Sequence, residues 1–248
     1  MNTPAKNSYL SSALCLVRGL KMLFMPGLRR YVWAPLLINL ILYSLGFWVA
    51  GLYFSQVMSW LIPGWLDWLR WLLWPLFALM LSAFAFFTFT LVTNLIGAPF
   101  YGRLAERVSF LLGEAPETSE GKGITVELLG GFSSELVRMG YFGLRAVPIL
   151  IVSIIPVLNL SAPFFWMLFG AWSLSLEYMA YPLEARGLRF PQQRDVVRQS
   201  RLEALAFGGM VMLGLAIPML NVLIPPAAVI GATIYFADSR ARGRAPVR

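Results

Sequence analysis

Apolar and polar positions along this chain fall into long blocks, not into the two-residue alternation of a half-buried strand. Four blocks carry no Asp, Glu, Lys or Arg: residues 31–54, 71–102, 146–176 and 204–237. The first, at about 1.5 Å per residue, reaches about 36 Å as a helix, and the second is longer, so each is predicted to cross a bilayer whose hydrocarbon core is about 30 Å thick. Between them lies Pro63-Gly64, with Trp60, Trp65, Trp68, Trp71 and Trp74 around it. Indoles settle at the headgroup level, so this reads as an interface belt closing a transmembrane hairpin. Upstream, residues 9–25 place apolar side chains at helical spacing around Arg18 and Lys21 and predict an amphipathic helix lying in the interface. No small-residue cleavage pattern follows that helix, and no cleavable signal is expected.

The third and fourth blocks break at one repeated phrase. Ile155-Pro156-Val157-Leu158-Asn159 is followed by Pro163, and Ile217-Pro218-Met219-Leu220-Asn221 by Pro225, 62 residues further on. As unbroken helices these blocks would measure about 46 and 51 Å with prolines inside them. Broken at the phrase, each yields two half-membrane pieces joined by a tight turn, with Asn159 and Asn221 placed to cap the turn backbone. Basic residues offer an independent test, because Lys and Arg beside membrane segments mark the cytoplasmic side. Five precede residue 31, Arg70 stands alone in 55–70, five lie in 103–145, five in 177–203 and four after 237. If both broken blocks dip in and return, 19 of the 20 basic residues share one side. The expected fold is therefore an all-α integral membrane protein with two transmembrane helices (31–54, 71–102) and two re-entrant helical hairpins (146–176, 204–237). Sections 103–145 and 177–203 are expected to be cytoplasmic. The former contains a Gly121-Lys122-Gly123 loop and an amphipathic helix over Ile124–Met139. The whole chain forms a single membrane domain.

Composition narrows the chemistry. With 58% hydrophobic residues, no His and one Cys, His-based metal sites, His general bases and disulfide frameworks are excluded. No phosphate loop or serine nucleophile elbow is present, so neither a nucleotide-driven pump nor an enzyme is expected, and no cofactor. The net charge of +8 suits anionic lipid or an anionic solute; nucleic acid fits poorly, because the basic residues hug apolar segments.

Pro26-Gly27-Leu28-Arg29-Arg30 stands immediately before the first spanning block. A turn running into a helix N-terminus leaves N–H groups open, and two guanidinium forks beside them suit a tetrahedral oxyanion. The same arginines are also what membrane topology asks of a cytoplasmic helix end. Gly-Leu-Arg recurs at 143–145 and 187–189. Arg103, Glu106 and Arg107 share a helical face, where local ion pairing or a pathway lining are both open. Arg194, Arg198 and Arg201 share another, read as contact with lipid headgroups. Glu177 and Glu184, close to lipid, are expected to pair with arginines, and Asn39 and Asn94 to form interhelical hydrogen bonds.

Several short pieces then combine. Gly19-Leu20-Lys21, Pro26-Gly27-Leu28-Arg29-Arg30-Tyr31, Pro35-Leu36-Leu37-Ile38-Asn39, Trp74-Pro75-Leu76, Ala98-Pro99-Phe100 with Leu104-Ala105-Glu106, Tyr181-Pro182, both Ile-Pro-x-Leu-Asn phrases and Gly231-Ala232-Thr233 together resemble the bacterial CysZ sulfate permease family over essentially the whole chain. The resemblance implies an inner-membrane, multi-pass homo-oligomer that admits sulfate for cysteine synthesis without ATP, with sulfite as a regulatory ligand. It implies sulfate binding by the Gly27 and Leu28 backbone and by Arg29 and Arg30. It also implies an ionic network or pathway through Glu106, with Arg103, Arg107, Arg145 and Glu177 as further candidates. The chain departs from the family's pattern at Ala180, where an Asp is expected, so a role built on that carboxylate does not transfer. The competing expectation is a membrane scaffold whose basic loops grip lipid or a partner without transport.

Overall fold

The computed structural model describes residues 6–61, 67–114 and 124–243. The Pro63-Gly64 turn with Trp65 and the Gly121-Lys122-Gly123 loop lie outside them. The described residues form helices α1 (Lys6–Leu23), α2 (Arg30–Leu61), α3 (Asp67–Leu111), α4 (Ile124–Ile154), α5 (Ala162–Glu184), α6 (Phe190–Gln199), α7 (Arg201–Leu215), α8 (Pro218–Asn221) and α9 (Ile224–Ala241), with a 3₁₀ turn at Leu158–Ser161. They divide into two compact units: residues 30–100, and residues 1–29 with 101–248.

In the unit of residues 30–100, α2 and α3 run antiparallel. The Phe54 ring stacks on Phe77 at 3.8 Å between centroids, and the Tyr43 hydroxyl reaches Thr88 Oγ1 at 3.5 Å. Their outward faces are almost wholly apolar and exposed, with Trp33, Leu40, Trp48, Phe86 and Phe87 standing clear of the protein, as lipid-facing helices require. Asn39 is buried, yet its amide meets no hydrogen-bond partner among the described residues, and the side chain of Asn94 lies outside them. Three segments among the described residues are long and apolar enough to cross a membrane: Arg30–Phe54 and Trp71–Thr88, which fall on the two predicted spans, and Val137–Ile154.

That third segment departs from expectation. An amphipathic helix over Ile124–Met139 and a separate hairpin over 146–176 were expected, whereas α4 runs unbroken from Ile124 through Arg145 to Ile154. The charge is accommodated because the Arg145 guanidinium lies 3.7 Å from the centroid of the Tyr141 ring, one turn back on the same helix.

In the other unit, both repeated phrases interrupt a helix. α4 stops before Ile155, and α7 stops before Ala216. The chain then doubles back in each case. Trp166 Nε1 donates to Ser153 Oγ at 3.1 Å and Trp172 Nε1 to the Tyr141 hydroxyl at 3.0 Å, pairing α5 against α4. The Tyr235 hydroxyl donates to Glu203 Oε2 at 2.6 Å, tying the end of α9 to the start of α7. Asn159 and Asn221 do not cap with their side chains, which are exposed. Their backbone N–H groups do the work instead: Asn159 donates to Ile155 O and Asn221 to Ile217 O, each at 3.0 Å, so the two phrases close with the same main-chain bond. Val157 sits in the first turn at φ 73°, a positive value that β-branched residues rarely adopt.

The core of this unit is α9, buried along nearly its whole length from Ile224 to Phe236 and packed by α1, α5 and α7. A helix apolar on every side belongs in an interior. Small residues permit its close neighbours: a Cβ at Gly19 would collide with Ala227 O, and one at Gly231 would lie 2.8 Å from Cys15 O. α1 is thus a packed element as well as an amphipathic one, with Cys15, Leu16 and Leu23 buried. On the α5–α7 crossing, a Cβ at Gly208 would strike Ala171 O, and the Ser175 hydroxyl sits between Ala171 O (2.8 Å) and Ala204 O. Gly231→Ala is expected to destabilise the purified protein by about 1–3 kcal/mol through overpacking. Gly209→Ala, where nothing lies within 4 Å of the added Cβ, is expected to leave stability unchanged or raise it by up to about 1 kcal/mol. Thermal unfolding in detergent compares the two.

Candidate functional site

α1 ends at Leu23 and α2 begins at Arg30, and the six residues between them form a tightly specified loop. Pro26 fixes its own φ, and Gly27 takes φ 94°, which a side chain would disfavour. The Leu28 N–H donates to Met25 O at 3.2 Å. Pro second and Gly third, with that bond, make a type II turn. The Leu28 side chain is 1% exposed and pins the loop to the core. Arg29 Nε donates to Phe24 O at 2.8 Å, which fixes the root of the guanidinium and leaves its two terminal nitrogens without a partner among the described residues. Gly27, Leu28 and Arg29 close the first stretch of one unit, and Arg30 opens the other. Arg30 Nη2 donates to the Tyr31 hydroxyl at 3.1 Å, with the guanidinium 5.0 Å from the Tyr31 ring centroid. Both arginines are exposed, and neither meets a carboxylate among the described residues.

One expected donor is placed differently. The Leu28 N–H is engaged inside the turn, because a type II turn uses the N–H of its fourth residue to close. The N–H groups of Gly27 and Arg29 have no acceptor among the described residues, and those at the start of α2 lack carbonyls one turn back, as at any helix start.

Arg103, Glu106, Arg107 and Arg145, four of the residues expected to form an ionic network, are not joined by salt bridges among the described residues. Arg103, Glu106 and Arg107 occupy the exposed face of the last turns of α3, opposite the fully buried Leu104, Ala105 and Val108, and Arg107 lies 5.4 Å from the Phe110 ring centroid. On an exposed face water solvates each charge, and little drives them to pair. Arg145 lies over Tyr141. Glu177 lies within electrostatic range of the Tyr101, Tyr178 and Tyr181 hydroxyls, where the Tyr101 and Tyr181 rings meet edge to face at 5.6 Å.

Ion pairs among the described residues include several that join other elements. Arg186 Nη2 reaches Glu114 Oε2 at 2.5 Å with both side chains largely buried, Arg138 approaches Glu184 at 3.7 Å, and Arg18 meets Asp238 at 2.5 Å. Gln193 Nε2 donates to Leu188 O at 2.7 Å and to Glu184 at 3.3 Å, bracing the turn between α5 and α6. Glu184 therefore has the basic neighbour expected of an acid near lipid. Glu114 and Arg186 carried no sequence signal, since their 72-residue separation has no local period to betray it. Cys15 is no nucleophile: burial, reinforced by the Asp238 carboxylate, pushes its thiol up to about 11, so it stays protonated at neutral pH.

Long apolar helices, cationic loops between them and an exposed arginine pair on a pinned turn define a multi-pass helical membrane protein. The family model described as sulfate transporter CysZ/etoposide-induced protein 2.4 matches residues 15–226, and the chain belongs to that family. Curated relatives named sulfate transporter CysZ include one from Pseudomonas fluorescens strain Pf-5, 41% identical over 245 residues that cover 96% of this chain and 98% of the relative. Another, from P. fluorescens strain Pf0-1, is 39% identical over 237 residues, covering 93% and 94%. A third, from Pectobacterium atrosepticum, is 34% identical over 228 residues, covering 89% and 82%. These bacterial relatives and the apolar helices make the chain a multi-pass bacterial membrane protein and not an enzyme.

Glu114→Ala or Arg186→Ala alone is expected to cost roughly 2 kcal/mol or more, because each leaves a largely buried charge without its partner. The paired replacement Glu114→Gln/Arg186→Met is expected to recover part of that loss in a thermal double-mutant cycle.

Proposed function

We propose that this protein carries sulfate across the bacterial inner membrane to supply cysteine synthesis, without hydrolysing ATP, and that it captures the anion at Gly27–Arg30. The observation that carries the reading is the pinned type II turn with two exposed guanidinium groups that meet no carboxylate among the described residues. The Gly27 N–H and the guanidinium groups of Arg29 and Arg30 donate to sulfate oxygens, and the two positive charges balance its double negative charge. Leu28 contributes through its buried side chain and its turn bond, holding the donors in place. Arg103, Glu106, Arg107, Arg145 and Glu177 stand further along the anion's route. Sulfite, another small oxyanion, fits the same donors as a regulatory ligand. The names of the relatives support the choice of sulfate.

In this reading α4–α5 and α7–α9 dip into the bilayer and return. The end of the α4–α5 pair supports it: Ile154, Val157 and Leu160 are about four-fifths exposed, and Phe164 beside them is also exposed. Such a tip suits hydrocarbon or another subunit better than water. Neighbouring subunits of a homo-oligomer cover these tips for one another, and lipid covers the outward faces of α2 and α3.

Arg29→Gln/Arg30→Gln is expected to lower labelled sulfate influx into proteoliposomes at least about tenfold at low sulfate, since each charged hydrogen bond is worth on the order of 1.5–3 kcal/mol. Flux equal to wild type would refute the site, and absence of flux from wild type as well would refute transport. Cysteine labelling in oriented membranes is expected to find residues 186–201 on the same side as the amino terminus. Labelling of those residues from the opposite side would refute re-entrance.

A further inference from the structure

A cavity of about 530 Å³ opens where α6 meets α7, away from the Gly27–Arg30 loop. Arg198, Gln199 and Ser200 line it from the α6–α7 junction, Arg201 from the first turn of α7, and Tyr235 and Ser239 from α9. The charges around it are unequal in their commitments. Arg194, the third arginine of this face, is engaged by Asp195 at 3.0 Å, whereas Arg198 and Arg201 meet no carboxylate among the described residues. The acid on the wall, Glu203, already accepts a 2.6 Å hydrogen bond from Tyr235, whose oxygen also lies 2.9 Å from Ser200 Oγ. The Ser200 side chain does not cap α7, and the acid in the first turn of that helix is Glu203 itself, already engaged by Tyr235.

Two guanidinium forks and the open amides of a helix start are donors, while Tyr235 and Ser239 spend their hydroxyl protons on Glu203 and on the Tyr235 carbonyl; the group the remaining donors suit is a tetrahedral oxyanion. We propose that this cavity is a second oxyanion site, which takes the phosphate of an anionic phospholipid headgroup. Its surroundings favour a lipid as the source. Leu202 is 61% exposed beside the cavity and Phe236 lies on its wall, so apolar surface adjoins the two arginines as a membrane-surface site needs. The two guanidinium groups of the lining outnumber the carboxylate of Glu203, which favours an anionic over a zwitterionic headgroup.

The test uses the full chain in detergent carrying Arg29→Gln/Arg30→Gln, so that the loop contributes no oxyanion binding, with and without Arg198→Gln/Arg201→Gln. The thermal midpoint is titrated with short-chain phosphatidylglycerol, with phosphatidylcholine of equal chain length, and with inorganic phosphate. Phosphatidylglycerol is expected to raise the midpoint saturably, phosphatidylcholine much less, and the cavity substitutions are expected to weaken the phosphatidylglycerol effect at least about tenfold in apparent Kd. Stabilisation by inorganic phosphate that is lost with the same substitutions would support the oxyanion site and move its source from lipid to solute. Equal responses with and without the cavity substitutions, for both phosphatidylglycerol and phosphate, would overturn the proposal. A conservative Arg198→Lys/Arg201→Lys pair, which keeps charge and fold, is expected to retain an intermediate response.

Discussion

Hydrocarbon offers no partner to a free backbone amide, and this constraint governs where a membrane chain can bend. Proline makes the problem acute, because it removes a donor and displaces the carbonyl of the preceding turn. The two Ile-Pro-x-Leu-Asn phrases meet it in one way, with the Asn N–H returning to the Ile carbonyl at 3.0 Å in both. A helix can then stop, turn within a few residues and start again with one of its amides satisfied by the turn itself. The doubled-back helix pairs depend on that local solution.

Packing carries the constraint inward. Once α7 and α9 fold back on each other, α9 becomes surrounded, and a helix so enclosed needs neighbours at backbone distance. Gly19, Gly208 and Gly231 supply it, each where a methyl group would meet a carbonyl oxygen or main chain. In lipid, where apolar side chains gain little by leaving the solvent, close backbone contact of this kind is a principal source of helix association. Arg18 with Asp238 and Arg186 with Glu114 then fasten the polar rim, joining segments far apart in sequence.

Much of this architecture was legible along the chain because hydrocarbon imposes long-range rules on composition. The uncharged blocks located α2 and α3, and the repeated phrase located both helix interruptions. The extent of α4 was not legible: the polar section reads as ending at Arg145, but arginine is a good helix former and the helix runs through it. The asparagines misled for a related reason, since a residue able to cap with its side chain can equally contribute only its main chain. At the loop before α2, a turn followed from Pro26-Gly27, whereas its type, the anchoring of Leu28 and the bond from Arg29 to Phe24 have no periodic trace. The expected network through Arg103, Glu106 and Arg107 shows the converse limit, because a shared helical face brings charges near one another without giving them cause to pair.

The buried Leu28 has a kinetic consequence. A floppy arginine loop would have to surrender conformational freedom each time an anion arrived, and would need strong contacts to offset that loss. In the proposed capture role, a turn already stiffened by Pro26, closed on Met25 and rooted through Leu28 would meet an anion in nearly finished form. Its contacts could then be few and shallow, as a site that must pass its ion on requires.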